Sequence, residues 1–227
     1  MVDVATKNNL ALIENFQFRF HSQLRKLKEL IGVDGTAPSV IGSIRAIRCS
    51  FGFPPFPDAD NIRYSAKLGG GALLDAGAYT IKAANLLLGP TILSGASLTV
   101  DRSRDIDLHG GGLLISPNTG VTAHLAFGFD HFYQCGVEVW GSEGVLRTNR
   151  LFTARASVAP QFEIESNEKP KQTLALEPDD HFRNMLLHFH DAMDYRSVDV
   201  RQDEYDQNLA QATMLEQFRS NALLSYA

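Results

Sequence analysis

Apolar residues follow a helical spacing at the start of the chain, and a strand-like stretch interrupts it. Residues 1–8 have the pattern of the end of a helix, and residues 9–16 follow with the pattern of a strand. Ser22 is a suitable N-cap for the next, short helix. The buried face of that helix is expected at Leu24, Leu27 and Ile31.

A second strand and a longer helix follow. Residues 41–53 predict the strand, and the proline-rich residues 53–58 predict a rigid, irregular loop. Three glycines at 69–71 precede a helix that we expect over residues 72–88, and Gly89-Pro90 ends it. The apolar positions of this helix are Leu74, Ala78, Ile81 and Leu88.

The hydrophobic period changes to two between about residue 91 and residue 177. The alternating runs are residues 97–101, 112–115, 121–129, 136–140, 145–147 and 162–165. Turn residues at 118–120 and 141–144 connect some of them. Because the connections are too short for crossover helices, the runs predict an antiparallel meander.

Two helices close the chain and complete the fold prediction. One begins near Asp179 or Asp180, and the other runs from about 204 to 225. The elements together predict an α+β domain with an open, mainly antiparallel β-sheet and helices packed on one face. A second subunit is the expected cover for the other face, so we expect a homodimer or higher oligomer.

Composition and charge exclude several classes of partner. Of the 227 residues, 44% are hydrophobic and 21% charged, which is ordinary for a globular protein. A net charge of -5 without a Lys/Arg block argues against nucleic acid and anionic membranes. No apolar run is long enough to cross a bilayer, and the N-terminus does not have the pattern of a secretory signal. The two distant cysteines, Cys49 and Cys135, fit a reducing, cytoplasmic setting.

The histidines near the C-terminus do not have the spacing of a metal site. His181 and His188 share one helix face, but His190 does not. Since no His-Glu-x-x-His pattern occurs either, we expect no catalytic metal.

Asp75 and Tyr79 have a spacing that places them on one helical face. A phenol has a pKa of about 10 and needs surroundings that lower it to donate protons readily. Asp75 cannot lower it, since like charge disfavours the phenolate, but it could orient a substrate hydroxyl or pair with a cation. Lys82, one turn later, would favour the phenolate. The structural alternative is that Asp75 caps the helix or bonds a loop amide, and that Tyr79 is a half-buried packing residue.

The glycine runs have two possible roles. Gly69-Gly70-Gly71 could cradle a phosphate, but it follows no clear strand and is not a Gly-x-Gly-x-x-Gly pattern. Close backbone packing is therefore the expected role. The second run, residues 110–112, predicts a turn or a bulge.

Three stretches of the chain resemble the glucose-fructose oxidoreductase / inositol dehydrogenase / MocA family of nicotinamide-dependent sugar oxidoreductases. Residues 61–79, from Asn61-Ile62-Arg63-Tyr64 through the glycines to Tyr79, are similar to the signature of its second domain. Residues 14–23 resemble its strand-to-helix transition, and residues 140–146 its Trp-Gly-Ser-Glu-Gly turn. The resemblance covers nearly the whole chain and is closest to members that act on nucleotide-linked keto-sugars.

The resemblance implies roles for individual residues. The residue at the Tyr79 position is the family's general acid/base at the sugar carbon, and the carboxylate at Asp75 helps to hold the substrate. The same comparison places Arg63 beside the pocket and Arg19 and His21 near the domain junction.

Each of the substrate-binding candidates has a structural alternative. Arg63 could pair with a phosphate or carboxylate of the substrate, or form a salt bridge to Asp58 or Asp60. His21 could be a substrate ligand or a histidine that serves the start of a helix. Lys82 is the other candidate for substrate binding, because it is close in sequence to Tyr79.

The resemblance also implies a nucleotide-binding half that we do not find in this sequence. A Rossmann domain, and a Glu-Lys-Pro motif whose lysine assists catalysis, are expected before residue 9. We interpret residues 1–20 as a remnant of the domain junction and residues 21–227 as a substrate-binding and dimerisation domain. NAD or NADP is implied for the complete enzyme, and neither is expected to bind this chain alone. Glu168-Lys169-Pro170 is interpreted as a chance match in a surface hairpin.

These observations leave three interpretations of function. The chain is the substrate-binding and catalytic-acid half of an NAD(P)-dependent oxidoreductase acting on a sugar or nucleotide-linked keto-sugar, inactive without a Rossmann domain. Alternatively, it is a non-catalytic sugar-binding or dimerisation module. The start within an apparent helix also fits a truncated gene product without an independent role.

Overall fold

The computed structural model describes residues 1–58, 60–167, 170–194 and 196–227, which form one nine-stranded sheet and five α-helices. The helices are α1 (Val2–Lys7), α2 (Ser22–Leu30), α3 (Ala78–Leu88), α4 (His181–Ala192) and α5 (Val198–Asn221). The strands are β1 (Ile44–Gly52), β2 (Ile92–Asp101), β3 (Ile106–Ile115), β4 (Thr122–Gly128), β5 (Gln134–Gly141), β6 (Gly144–Asn149), β7 (Gln161–Ser166), β8 (Gln172–Ala175) and β9 (Leu223–Tyr226). Shorter helical turns lie at Gln17–Phe20, Ile62–Tyr64, Ala66–Leu68 and Leu73–Gly77.

The sheet is open and mainly antiparallel. Its strand order is β8-β7-β6-β5-β1-β4-β3-β2-β9. The parallel neighbours are β1 with β4 and β2 with β9. A parallel pair needs a long connection, and the chain between β1 and β4 contains α3, β2 and β3. The predicted α+β class is confirmed, although the sheet is not a simple meander.

One face of the sheet, the inner face, carries the hydrophobic core. Ile47 and Cys49 of β1 are fully buried on this face, whereas Arg48 between them is exposed. This alternation follows from the two-residue period of a strand. Helix α3 lies against β1 and β4, and α5 lies against β2. The core therefore lies between these helices and the sheet.

The opposite face, the outer face, carries ion pairs in place of a core. The Arg48 guanidinium lies 4.1 Å from the centre of the Trp140 ring. Arg147 bonds the carboxylates of Glu138 at 2.5 Å and Glu165 at 2.8 Å, so charges alternate across β5, β6 and β7. Trp140 is still 40% exposed, so the chain itself does not cover this face at that point.

The glycines at 110–112 lie inside β3, so the predicted turn or bulge is wrong. A Cβ on Gly110 would lie 2.5 Å from the carbonyl oxygen of Ser97, and one on Gly112 would lie 2.5 Å from the Phe218 ring. The neighbouring strand and α5 therefore approach β3 too closely for larger side chains.

The strand predicted over residues 9–16 is also wrong, although the helix before it is confirmed as α1. Backbone carbonyls of residues 9–16 accept hydrogen bonds from side chains of α5, not from a neighbouring strand. The Tyr205 hydroxyl donates to the carbonyl oxygen of Leu10, and the Asn208 amide donates to that of Leu12 at 3.1 Å. The apolar pattern is real, since Phe16 and Phe18 belong to the hydrophobic core. The segment therefore lies along α5 as irregular chain.

Helix α2 begins where predicted, but His21 caps it in place of Ser22. The His21 Nδ1 atom accepts a hydrogen bond from the backbone N–H of Gln23 at 3.0 Å. Its predicted buried face is confirmed at Leu24, Leu27 and Ile31.

The two closing helices are confirmed, with differences at their surfaces and ends. Asp180 caps α4, but Phe182 and Leu186 of its apolar face are more than half exposed. Helix α5 begins six residues earlier than expected, and β8 and β9 were not predicted. Glu168 and Lys169, of the expected surface hairpin, lie outside the described residues.

Several expected absences can be checked against the described part of the chain. There, no helix has the length and apolarity needed to span a membrane, and no group of three or more potential ligands could hold a metal ion. Both Cys49 and Cys135 are free and buried. Burial raises the pKa of the Cys49 thiol to about 12, so it stays protonated and unreactive.

Candidate active site

The glycine loop before α3 is shaped by close backbone contacts. The N–H of Gly71 donates to the carbonyl oxygen of Arg63 at 2.9 Å, and a Cβ on Gly70 would lie 2.4 Å from the same oxygen. Gly71 has a φ of +111°, which L-residues rarely adopt. The role expected from the sequence, close backbone packing, is confirmed.

Asp107 of β3 holds the start of the helical segment that follows the loop. Its Oδ2 atom accepts a hydrogen bond from the backbone N–H of Leu73 at 2.5 Å. A Cβ on Gly71 would lie 2.3 Å from the Oδ1 atom of the same carboxylate. The glycine therefore leaves the space in which the carboxylate caps the helix start.

Asp75 lies in a π-helical turn, Leu73–Gly77, and Tyr79 lies in the first turn of α3. A π turn is wider than an α turn and is frequent at functional sites. It places the two side chains in different surroundings, one partly exposed and the other inside an aromatic cluster. The sequence spacing alone did not predict this turn.

Arg63 and Asp75 form an ion pair at the edge of the site. The Arg63 Nε atom donates to Asp75 Oδ2 at 2.6 Å, and the guanidinium lies 4.7 Å from the centre of the Phe56 ring. The partner is therefore neither Asp58 nor Asp60, the two carboxylates considered from the sequence. About one third of each side chain is exposed, which leaves polar atoms accessible to a ligand.

Tyr79 stands in a ring of phenylalanines with its hydroxyl bonded to an amide. The ring centroids lie between 5.0 and 5.8 Å from those of Phe16, Phe18, Phe51 and Phe152. Its hydroxyl donates to the Oε1 atom of Gln17 at 3.1 Å. Burial raises the pKa of Tyr79 above its usual value, and the nearby Asp75 carboxylate acts in the same direction. Tyr79 is therefore a protonated phenol at neutral pH.

Lys82 lies buried beside the Phe16 ring. Its side chain is 3% exposed, and its Nζ atom lies 5.6 Å from the centre of the Phe16 ring. Burial, together with the charge of Arg19, lowers the pKa of Lys82 to about 8. The expected effect of Lys82 on the phenol, and its role in substrate binding, stay predictions.

Arg19 is engaged in a buried ion pair. Its two terminal nitrogens donate to the Glu204 carboxylate at 2.9 and 2.7 Å, and His188 bonds the same carboxylate at 2.9 Å. The Arg19 side chain is 8% exposed and that of Glu204 is 1% exposed. This contact fastens the turn Gln17–Phe20 to α5, and the predicted substrate contact of Arg19 stays a prediction.

His21 serves the start of α2, one of the two roles considered from the sequence. Its ring is buried, and this burial lowers its pKa. The neutral ring is the form that accepts from the Gln23 N–H. A role of His21 in substrate binding stays a prediction.

Two residues of the site were missed by sequence reasoning. Gln17 contacts the Tyr79 hydroxyl, and Phe152 forms one wall of the aromatic cluster and accepts a hydrogen bond from Gln17. Both lie far from Tyr79 in sequence. The run Phe16-Gln17-Phe18 marks Gln17 as a polar residue between core residues, but no sequence signal pairs it with Tyr79.

Comparison with known proteins adds a family and several relatives. The sequence model of the GFO/IDH/MocA C-terminal domain matches residues 25–147. A dTDP-3,4-didehydro-2,6-dideoxy-alpha-D-glucose 3-reductase of Actinomadura kijaniata is 38% identical over 220 residues, covering 96% of this chain and 63% of the relative. The reductase of that name from Streptomyces violaceoruber is 42% identical over 166 residues, covering 73% and 47%.

A solved structure shows the same fold. It is a 3-ketoreductase from Actinomadura kijaniata in complex with NADP and TDP-benzene, with a TM-score of 0.89 and 37% identity. The match covers 99% of this chain and 66% of that chain. The present chain thus spans less than two thirds of the length of these relatives.

The glycine loop generates a prediction on stability. We expect Gly71→Ala to lower the free energy of unfolding by about 3 kcal/mol, because the added Cβ meets both an unfavourable φ and the Asp107 carboxylate. Gly69→Ala is the matched control, since Gly69 has a φ of +76° but no atom closer than 3.8 Å. It should cost only about 1 kcal/mol. Equal losses in urea denaturation would contradict the role of Asp107.

His21 generates a prediction on pH. Its pKa is lower in the folded than in the unfolded state, so folded protein binds fewer protons and loses stability as pH falls below about 6.5. His21→Asn should keep a cap and reduce this loss between about pH 7 and pH 5. The exposed His190→Asn is the control for the removal of a histidine as such. The same slope in wild type and His21→Asn would refute the prediction.

Proposed function

The chain belongs to the GFO/IDH/MocA family, and we propose that it is the substrate-binding and acid-supplying half of an NADP-dependent oxidoreductase that reduces a nucleotide-linked keto-sugar. The observation that carries this proposal is the partly buried, protonated Tyr79 next to the partly exposed pair of Arg63 and Asp75. The relatives support the substrate class, since two are reductases of a dTDP-linked keto-sugar and one was solved with NADP and TDP-benzene.

Tyr79 supplies the proton of the reduction. Reduction of a ketone adds a hydride to the carbonyl carbon and a proton to the carbonyl oxygen. A partly buried phenol with a raised pKa is protonated in the resting state, and it can still protonate an alkoxide-like oxygen, which is the stronger base. The resulting phenolate regains its proton from solvent, and the substrate becomes a secondary alcohol.

Arg63 and Asp75 hold the polar groups of the substrate. Asp75 Oδ2 is bonded to Arg63, and the remaining carboxylate oxygen can accept from a sugar hydroxyl. Arg63 uses its Nε atom in this pair, so its terminal N–H groups can bond a phosphate of the nucleotide. The ion pair between them fixes both side chains before the substrate arrives.

The glycine loop of this chain does not fit the pyrophosphate of a dinucleotide. The N–H groups of Gly70 and Gly71 already bond the carbonyl oxygens of Ser65 and Arg63. The carboxylate of Asp107 lies at the start of the helix, where a phosphate would have to bind. We therefore assign the binding of NADP to a separate nucleotide-binding domain.

The outer face of the sheet is the proposed contact with a second copy. Its charges alternate across β5, β6 and β7, and a two-fold axis can bring such a surface against itself with opposite charges facing. Trp140 and the stem of Arg48 supply apolar area at one side. A dimer through this face would leave the site on the inner side of the sheet free.

Tyr79→Phe in the complete enzyme tests the function. We expect the turnover number to fall by about 100-fold or more, with the KM for the keto-sugar changed by less than about threefold, since only the donated proton is lost. Tyr226→Phe is the matched control, because Tyr226 is exposed on β9, and it should leave both values unchanged. An unchanged turnover number in Tyr79→Phe would favour the non-catalytic sugar-binding or dimerisation module.

Sedimentation tests the subunit contact. We expect the wild-type chain to sediment as a dimer or larger at micromolar concentration, and Trp140→Glu to shift it towards monomer because a carboxylate replaces apolar area on the face. Leu186→Glu is the control on the exposed surface of α4 and should not change the sedimentation. A monomeric wild type, or dissociation by Leu186→Glu alone, would contradict the proposed face.

A further inference from the structure

Gln17 is held in one orientation by the backbone of the loop that carries Phe152. Its Nε2 atom donates to the carbonyl oxygen of Phe152 at 3.1 Å. A carbonyl oxygen can only accept, so the nitrogen of the amide must face Phe152. The Oε1 atom of Gln17 then has to face the Tyr79 hydroxyl, which lies 3.1 Å away.

This orientation decides which form of Tyr79 the amide can bond. The Gln17 Oε1 atom has no proton, so it accepts from a phenol but repels a phenolate. Turning the amide over would place Oε1 against the carbonyl oxygen of Phe152 and lose that bond. The other groups that act on the phenol are the carboxylates of Asp75 and Glu14 and the guanidinium of Arg63. Gln17 is the one that touches the hydroxyl itself.

We infer that Gln17 is a positioning residue for the reduction: clamped by the Phe152 carbonyl, it fixes the place of the Tyr79 hydroxyl between the aromatic rings. The inference rests on the proposed function of Tyr79 as the proton donor.

A spectroscopic comparison tests the contact without turnover. The 227-residue chain is labelled with carbon-13 at Cζ of its six tyrosines, and the Tyr79 resonance is identified by its loss in Tyr79→Phe. Gln17→Met, which keeps the length of the side chain without the amide, should move this resonance. A Tyr79 resonance that stays at its wild-type position in Gln17→Met overturns the inference.

Gln23→Met is the matched control. Gln23 is also a buried glutamine whose Nε2 atom donates to a backbone carbonyl, that of Asn149, at 2.8 Å. It does not bond Tyr79, so its replacement should leave the Tyr79 resonance in place. Equal movement in both variants would mean a general loosening of the structure and overturns the inference.

The turnover number of the complete enzyme distinguishes a positioning role of Gln17 from a role in filling space alone. We expect Gln17→Met to lower kcat by about five- to tenfold, the size of one net hydrogen bond, with KM within about twofold of wild type. An unchanged kcat in Gln17→Met, together with a large loss of kcat in Tyr79→Phe, would overturn the role of Gln17 but not the proposed function of Tyr79. If neither variant loses turnover, the proposed function fails, and the positioning role fails with it.

Gln17→Glu provides a second readout, which tests the inference even if the Gln17→Met variant does not fold. A protonated carboxyl has the shape of the amide, so its O–H can donate to Phe152 and its carbonyl oxygen can accept from Tyr79. The Tyr79 resonance should be close to wild type at acidic pH and depart from it as the new carboxyl ionises. A resonance that differs equally from wild type at every pH overturns the inference.

Discussion

The contacts between the Tyr79 ring and four phenylalanine rings join parts of the protein that are far apart in sequence. Phe16 and Phe18 come from the segment before α2, Phe51 from β1, and Phe152 from the loop after β6. Aromatic pairs in such edge-to-face and tilted arrangements contribute beyond the burial of their area. The cluster thus fixes the place of Tyr79, and it also removes water from the phenol and keeps it protonated.

Charges are divided between the interior and the edge of the site according to their function. The side chains of Arg19 and Glu204 are almost fully buried, and two hydrogen bonds join them. Unpaired charges at this depth would be very costly. Arg63 and Asp75 form a partly exposed pair, whose contribution to stability is small by comparison. The exposed pair can therefore exchange partners at low cost, whereas the buried pair cannot.

The glycine loop beside Asp75 and Tyr79 serves packing. Every feature of that loop, from the carbonyl of Arg63 to the carboxylate of Asp107, positions the helix that carries Asp75 and Tyr79. The relatives are longer than this chain, and one of them was solved with NADP bound. A division in which one domain holds the substrate and its acid while another holds the cofactor is consistent with both observations.

The sequence by itself determined the elements whose causes are local. The end of α3 at Gly89-Pro90, the Asp180 cap of α4 and most strands of the sheet follow from turn residues, caps and periodicity. Only the tertiary structure decided where residues 9–16 find partners for their carbonyls, because those partners are side chains of α5 near the other end of the chain. The contact of Gln17 with Tyr79 is equally non-local, since the two residues lie 62 positions apart in the chain. Spacing along a helix names the residues on one face, but burial and neighbours from distant segments decide their chemistry.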